Sequence, residues 1–341
     1  MDIVRSWRGT PPALKGAVLA IGNFDGVHRG HQAVLNEAKR IAQAEGRRAG
    51  AVVFEPHPRE FFAPDQPFFR LTPLPVKLEL LEALDLDVTF VLTFDQALAS
   101  LSADTFAGEV VGQGFAASHV VVGYDFTYGK GRTGSVEHLA AIGKGQAGKG
   151  KGFGVDVVAP VTLAGGVTFS SSTIRDHLRK GEVREAAEQL GYWWRARGRV
   201  SHGAGRGKDL GFPTLNFKLA PGQDVSHGIY AMRVHHAGAR YHAAGYVGPR
   251  PTFGSDEPVL EAYLLDFSGD LYDHIVEVEF IDFLRPDHAF DTPEALSTQM
   301  AQDCEKARAV LAAVDADDPM RRFTLGAALA NRALDCGKSG C

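Results

Sequence analysis

Apolar residues in the first half of the chain fall into short runs separated by stretches with helical spacing. Residues 17–21, Ala-Val-Leu-Ala-Ile, form a run of strand length. After a glycine-rich segment, Val34, Leu35, Ala38, Ile41 and Ala42 share one helical face until Gly46 ends the pattern. Residues 51–54, 88–94, 119–123 and 156–161 read as further strands, and 76–83, 103–111 and 171–180 as helices. Strands alternating with helices predict an α/β, doubly wound parallel sheet, whose ligand crevice lies outside the carboxyl ends of its strands.

Around residues 186–198 the period changes. Residues 193–200, 215–219, 228–235, 241–247, 260–267 and 275–283 read as strands divided by glycine, proline and aspartate turns. One helix follows over 293–313, with Leu296, Met300, Ala307, Val310 and Leu311 as its apolar stripe. This predicts a mainly β unit, a small closed barrel with a C-terminal helix. The pattern divides the chain into 1–187, 188–314 and an extension, 315–341, that holds a short helix and a polar end.

Composition sets outer bounds on this picture. A chain of 341 residues with 45% hydrophobic content suits two domains. No apolar run approaches the ~20 residues that span a bilayer, and residues 1–16 lack the apolar core of a secretion signal. The expectation is a cytoplasmic protein without a membrane partner. Three cysteines, Cys304, Cys336 and Cys341, are odd in number and lie near the C-terminus, which argues against a disulfide framework. A net charge of -5 argues against broad nucleic-acid binding.

The candidate chemistry sits at the predicted strand ends. Residues 22–31, Gly-Asn-Phe-Asp-Gly-Val-His-Arg-Gly-His, join a strand to a helix. The backbone N–H groups of such a loop and the positive end of the helix make an anion site, flanked here by two imidazoles three residues apart. His28 and His31 alone are equally consistent with ordinary surface histidines, and a zinc site would require a third ligand that no nearby spacing supplies. His57, between two prolines after the second strand, is either a rigid turn or part of the crevice. The hydroxyls of residues 170–172 suit a helix cap. Residues 145–151 fit GxxxxGK, yet Gly152 stands where magnesium binding needs Ser or Thr, so a flexible basic loop is expected. In the second half, the glycine-rich basic turn containing Gly203, Gly205, Arg206 and Gly207 is either a phosphate wrap or a solvated hairpin loop. The Thr214 hydroxyl and the Asn216 amide oxygen are hard ligands suited to Mg²⁺.

Residues 22–31 also match, nearly completely, the HxGH region of the prokaryotic bifunctional FAD synthetases, members of the nucleotidyltransferase superfamily. Residues 54–62, 71–73 with Lys77, 121–132 and 170–175 match in order, with Ser172 where the family usually has threonine. Residues 198–216 resemble the riboflavin kinase loop, with Leu215 in place of the usual alanine, and 261–272 resemble that domain's other signature. Tyr246 stands where the family usually has asparagine. The resemblance covers about residues 15–313. It implies a nucleotidyltransferase-like sheet followed by a riboflavin-kinase barrel, and an enzyme that converts riboflavin to FMN and FMN to FAD with ATP and Mg²⁺. By the same resemblance His28 and His31 contact ATP phosphates. Gly22, Asn23, Phe24, Ser171 and Ser172 shape the ATP pocket, and Arg175 serves the pyrophosphate side. Asp125 and Phe126 lie in a glycine-flanked loop that either suits a flavin ring or is a plain surface loop, and His57 and Pro58 are placed with them on the flavin side. Gly203, Gly205, Arg206 and Gly207 bind ATP in the second site, with Thr214 and Asn216 on the metal, Glu261 as general base and Arg285 toward the flavin. The alternatives are a chain with one active module, an adenylyltransferase for another phosphorylated acceptor, or a flavin-binding regulator with degenerate sites.

Overall fold

The structure is a computed structural model that describes residues 1–147, 152–162, 166, 168–201, 214–249 and 258–339. The chain divides into two compact units, Met1–Phe68 with Thr72–Ser170, and Phe69–Leu71 with Ser171–Cys341.

The first unit is built on six parallel strands: β1 (Asp2–Val4), β2 (Val18–Ile21), β3 (Ala49–Glu55), β4 (Val88–Thr93), β5 (His119–Gly123) and β6 (Gly154–Val158). Their order is β1-β4-β3-β2-β5-β6. Every residue of β2 is buried, which is why that strand is uniformly apolar. The chain steps outward from β2 to β3 and β4, then crosses back so that β5 lies on the other side of β2. The topological switch point therefore falls between β2 and β5, where doubly wound sheets take their ligands.

Three sequence expectations change here. The first helix is Arg29–Glu45, so Gly30 and His31 belong to its first turn and not to the loop. The reason is the cap: the His28 ring takes the role usually given to Ser, Thr, Asp or Asn. A helix at Val136–Ala147 absorbs residues 145–147 of the GxxxxGK segment, so that part is not a loop, and residues 148–151 lie outside the described residues. The predicted helix at 103–111 is a short α-turn, Ala103–Thr105, that widens into a π-helix, Phe106–Gly114.

The second unit carries the antiparallel strands β7 (Arg195–Arg199), β8 (Thr214–Lys218), β9 (Gly228–His236), β10 (Ala239–Pro249), β11 (Pro258–Leu264) and β12 (Ile275–Pro286), in the order β7-β12-β9-β10-β11-β8. A bridge from Ser201 to Asn216 links the end of β7 to β8 and closes the sheet toward a barrel. Leu215, Phe217, Leu260, Ala262 and Val247 are buried, with Asn216 between the first two and Glu261 between the next two. Leu215 is thus an apolar core position, and its replacement of the family's alanine leaves the polar face untouched. The helix Pro293–Ala316 packs Ala307, Leu311 and Val314 with Trp193, Ala231 and Ile281. The C-terminal helix, Thr324–Ser339, is longer than the short one expected.

A buried charge network ties this unit together. Arg233, with 3% of its side chain exposed, donates from Nη1 to Asp318 (2.7 Å) and from Nη2 to Asp315 (2.6 Å). Its Nη1 also lies 3.8 Å from Glu279 Oε2, which His235 approaches at 3.2 Å and whose other oxygen accepts from Arg195. Burial alone would push the Glu279 carboxyl up, but the charges of His235, Arg195 and Arg233 together outweigh it and hold it well below its ordinary value of 4.5. A depressed carboxyl contributes stability that is present above pH 4.5 and lost as the pH falls below it. Arg233→Met is expected to destabilise this unit by about 3–5 kcal/mol, because it removes the buried cation that Asp315, Asp318 and Glu279 share. Urea unfolding followed by tryptophan fluorescence checks this: the loss should be clear at pH 7 and smaller at pH 4. A variant as stable as the parent at pH 7 would contradict the assignment.

Candidate active sites

The loop after β2 is held in a costly shape from several directions. Phe24 and Val27 have φ of 46° and 40°, a left-handed backbone that costs of order 1–3 kcal/mol per non-glycine residue and persists only where its surroundings enforce it. Those surroundings are specific. Gly26 N–H donates to Thr72 Oγ1 (2.9 Å), and Thr72 N–H donates to the buried Asp25 carboxylate (3.0 Å). Lys77 is fully buried and donates from Nζ to the Asn23 carbonyl (2.7 Å), while Gln32 Nε2 donates to the Val27 carbonyl (2.8 Å). Thr72 and Lys77 belong to a segment that matches the family, but the sequence assigned them no function. The local signal was a lysine beside Val76, Leu80 and Leu81, on the apolar stripe of the helix Leu74–Ala83.

His28 is 5% exposed, and its Nδ1 accepts from the His31 N–H at 3.3 Å. Acceptance at Nδ1 puts the proton of the neutral ring on Nε2, so the ring donates from that side. The two imidazoles stack with centroids 3.6 Å apart and planes at 19°, and Phe24 meets His31 edge-on at 5.3 Å. Gly30 makes room for this: a Cβ there would lie 3.1 Å from the His28 ring. Two rings this close take on charge together only at a cost that an adjacent anion offsets. The arrangement suits phosphate oxygens at a helix N-terminus.

A series of aromatic rings runs from the end of β3 to the loop after β5. Phe54, in β3, contacts Phe94 (5.9 Å) and Phe106 (6.4 Å); Phe106 contacts Tyr128 (5.5 Å), and Tyr128 stacks on Phe126 (5.5 Å, 19°). Phe61 and Phe62 extend the series from Phe94, with Phe62 69% exposed. Phe106 and Tyr128 are buried in the core and the partly buried Phe54 and Phe126 pack against them, an aromatic edge that suits a planar heterocycle. Asp125 is exposed beside Phe126. His57 caps the helix Pro58–Phe62: its Nδ1 accepts from Arg59 N–H (3.1 Å), its own N–H donates to Glu60 (3.0 Å), and its ring lies 4.7 Å from Phe68.

Ser171, Ser172 and Arg175 belong to the second unit, on the helix Ser171–Arg179. Arg175 is 7% exposed and donates from Nε to the Phe69 carbonyl at 2.5 Å.

In the barrel, register gathers the other candidates. Glu261 on β11 pairs across the sheet with Asn216 on β8 and with Tyr246 on β10. Directly opposed residues share a face, and Thr214, two positions from Asn216, shares it too. Asn216 Nδ2 donates to the Thr214 carbonyl (3.0 Å) and reaches its hydroxyl (3.4 Å), which orients the amide beside that hydroxyl. Tyr246, the departure from the family pattern, therefore stands beside the candidate base. Burial first, then the charge and hydrogen bond of Asp287 and the charge of Glu261, push its phenol up to about 12. The Arg285 fork is engaged by the buried Asp303, which accepts from Nη2 (2.7 Å) and Nε (3.0 Å), while Nη1 reaches the Pro286 carbonyl and His288 Nδ1 (both 3.0 Å). Gly203, Gly205, Arg206 and Gly207 lie outside the described residues. Among the described residues no cluster of three or more His, Cys, Asp or Glu side chains could hold a metal, and no helix is long and apolar enough to cross a membrane.

The FAD synthetase family model matches residues 10–173 and the riboflavin kinase model residues 190–311. The bifunctional riboflavin kinase/FMN adenylyltransferase of Pseudomonas fluorescens is 37% identical over 92% of this chain and 98% of its own length. That of Listeria monocytogenes is 33% identical over 87% of this chain and 93% of its own length. Among solved structures, a chain described as a macrolide-efflux protein from Streptococcus pneumoniae is similar with a TM-score of 0.80 and 28% identity, over 90% of this chain and 99% of that one. That description concerns the other protein; the likeness to it is one of fold. Two family models in tandem and full-length relatives with both activities lead to one conclusion: the chain belongs to the bifunctional riboflavin kinase/FMN adenylyltransferases, the ATP-using enzymes of flavin-cofactor synthesis.

Proposed function

We propose that the loop after β2 is the adenylyl-transfer site and that the outer face of β8 and β11 is the kinase site. In the first, a phosphate oxygen of FMN attacks the α-phosphorus of ATP and pyrophosphate leaves. No protein nucleophile is needed, and His28 and His31 donate to phosphate oxygens as charge builds on them. Gly22, Asn23 and Phe24 shape the nucleotide pocket. Phe126, with Asp125, His57 and Pro58, faces the flavin, a reading supported by the aromatic wall from Phe54 to Phe126. For Ser171, Ser172 and Arg175, placed with the ATP phosphates, the support is the motif match.

In the second site, Glu261 takes the proton from the riboflavin 5′-hydroxyl as that oxygen attacks the γ-phosphorus and ADP leaves. The observation that carries this is the cross-strand row of Asn216, Glu261 and Tyr246. The Thr214 hydroxyl and Asn216 amide are neutral oxygen donors that fit Mg²⁺, which when bound would neutralise charge on the transferring phosphates. The glycine-rich segment with Gly203, Gly205, Arg206 and Gly207 would bind the ATP phosphates. Arg285 would act toward the flavin through the segment that its Asp303 clamp fixes. We place the domain division at 187/188, with 315–341 as an extension; family matches that end at 173 and begin at 190 support it. Dependence of both steps on ATP supports a cytoplasmic site of action.

Purified full-length protein incubated with riboflavin, ATP and Mg²⁺ is expected to accumulate FMN and then FAD, resolved by chromatography. Chelation of Mg²⁺ should stop FMN formation, and Thr214→Ala should raise the Mg²⁺ concentration required. Formation of neither product by folded protein would refute the proposal.

A further inference from the structure

Behind the loop after β5 runs a hydrogen-bonded chain that neither reaction uses. Tyr128 is 7% exposed and stacks against Phe126. Its hydroxyl lies 2.8 Å from Nδ1 of His138, and Nε2 of His138 lies 3.0 Å from Oδ1 of Asp104. Three separate segments are joined this way: the loop itself, the helix Val136–Ala147 and the turn Ala103–Thr105. A carboxylate only accepts, so Nε2 carries the proton, and in the neutral ring Nδ1 then accepts from the phenol. Burial, and next the charge of Asp104, hold the phenol above its ordinary value, which keeps it the donor. The backbone reinforces the position: Tyr128 N–H donates to the Gly134 carbonyl (3.1 Å) and Gly134 N–H returns the bond (2.9 Å). Arg132 Nε donates to Thr127 Oγ1 at 2.9 Å, within the same loop.

We propose that Asp104, His138 and Tyr128 are positioning residues of the FMN subsite of the adenylyltransferase. The chain fixes the azimuth and depth of the Tyr128 ring, and through offset parallel stacking it fixes Phe126 as the surface offered to the isoalloxazine. A buried phenol with one acceptor has one favourable orientation; without that acceptor it turns or admits water, and Phe126 moves with it. The inference rests on the reading of Phe126 as a flavin contact.

The test uses the full chain and follows FMN adenylylation, with riboflavin phosphorylation as internal control. His138→Leu strands the phenol, and a stranded buried hydroxyl costs enough to raise the KM for FMN about tenfold. The KM for ATP, kcat and the kinase activity should hold. His138→Asn, whose amide oxygen stands near the former Nδ1, should bring the KM for FMN back toward the parent value. Tyr128→Phe in the His138→Leu background should recover part of the loss by removing the stranded hydroxyl. A lower melting temperature with an unchanged KM for FMN would overturn the proposal. If His138→Leu fails to fold, Tyr128→Phe alone keeps the ring and carries the test: a raised KM for FMN supports the proposal and an unchanged one rejects it. Phe126→Ala separates the two failures. No change in that variant rejects the flavin reading itself, whereas a raised KM there with none in the His138 and Tyr128 variants rejects only the positioning chain.

Discussion

Glu261→Gln is expected to abolish FMN formation from riboflavin, with kcat reduced by about 10²–10⁴-fold, while FMN supplied from outside is still converted to FAD. Glutamine keeps the shape of the side chain and a hydrogen bond to the substrate hydroxyl but cannot take its proton. Strand pairing keeps residue 261 opposite Asn216 and Tyr246 in the variant, since register depends on backbone bonds and on the buried Leu260 and Ala262 to either side. The loss should therefore appear in kcat more than in the KM for riboflavin or ATP. Two assays on the same preparation decide it, one started with riboflavin and one with FMN, each resolved by chromatography. Retention of riboflavin phosphorylation would remove Glu261 from the role of base, and equal loss of both activities would point to a folding defect.

Glu261 was legible only through the resemblance of residues 261–272, whereas the two faces of its strand follow from side chains that alternate every second residue. Leu215 and Phe217, Leu260 and Ala262 declare an inner face, and Thr214, Asn216 and Glu261 are left on the other. The parallel sheet was legible for a related reason, since strands buried on both faces, such as β2, read as unbroken apolar runs. Three residues of β1 at the sheet edge left no comparable trace. The helix Val136–Ala147 was hidden by its glycines, which lower helical propensity; at Gly143 the structure accounts for the choice, because a Cβ would come within 2.4 Å of the Phe153 carbonyl. The supports of the adenylyl loop were hidden differently. Thr72 lies 46 residues from Gly26 and Lys77 lies 54 from Asn23, so no local pattern connects them. Local spacing could point to the anion loop, but the strain at Phe24 and Val27, and what holds it, emerge only from long-range packing.

Those supports bear on the second large effect. His31→Ala is expected to reduce FAD formation from FMN by about 10²–10³-fold, the usual cost of one preorganised donor to a charged transition state, with riboflavin phosphorylation intact. The His31 ring takes no part in capping the helix: the cap uses its backbone N–H, which alanine retains. Loop geometry should survive because Thr72, Lys77 and Gln32 hold it through Gly26, Asn23 and Val27. His28 is a double case, since its Nδ1 caps the helix while its ring stacks on His31. Loss of such a cap costs about 1 kcal/mol, so His28→Ala should lower the melting temperature as well as activity. His28→Asn keeps a side-chain acceptor for the His31 N–H and should recover stability without recovering the rate. Thermal unfolding measured beside both activities distinguishes these roles. If His28→Asn restored FAD formation together with stability, His28 would be a helix cap and nothing more, and phosphate stabilisation would have to come from His31 and the backbone.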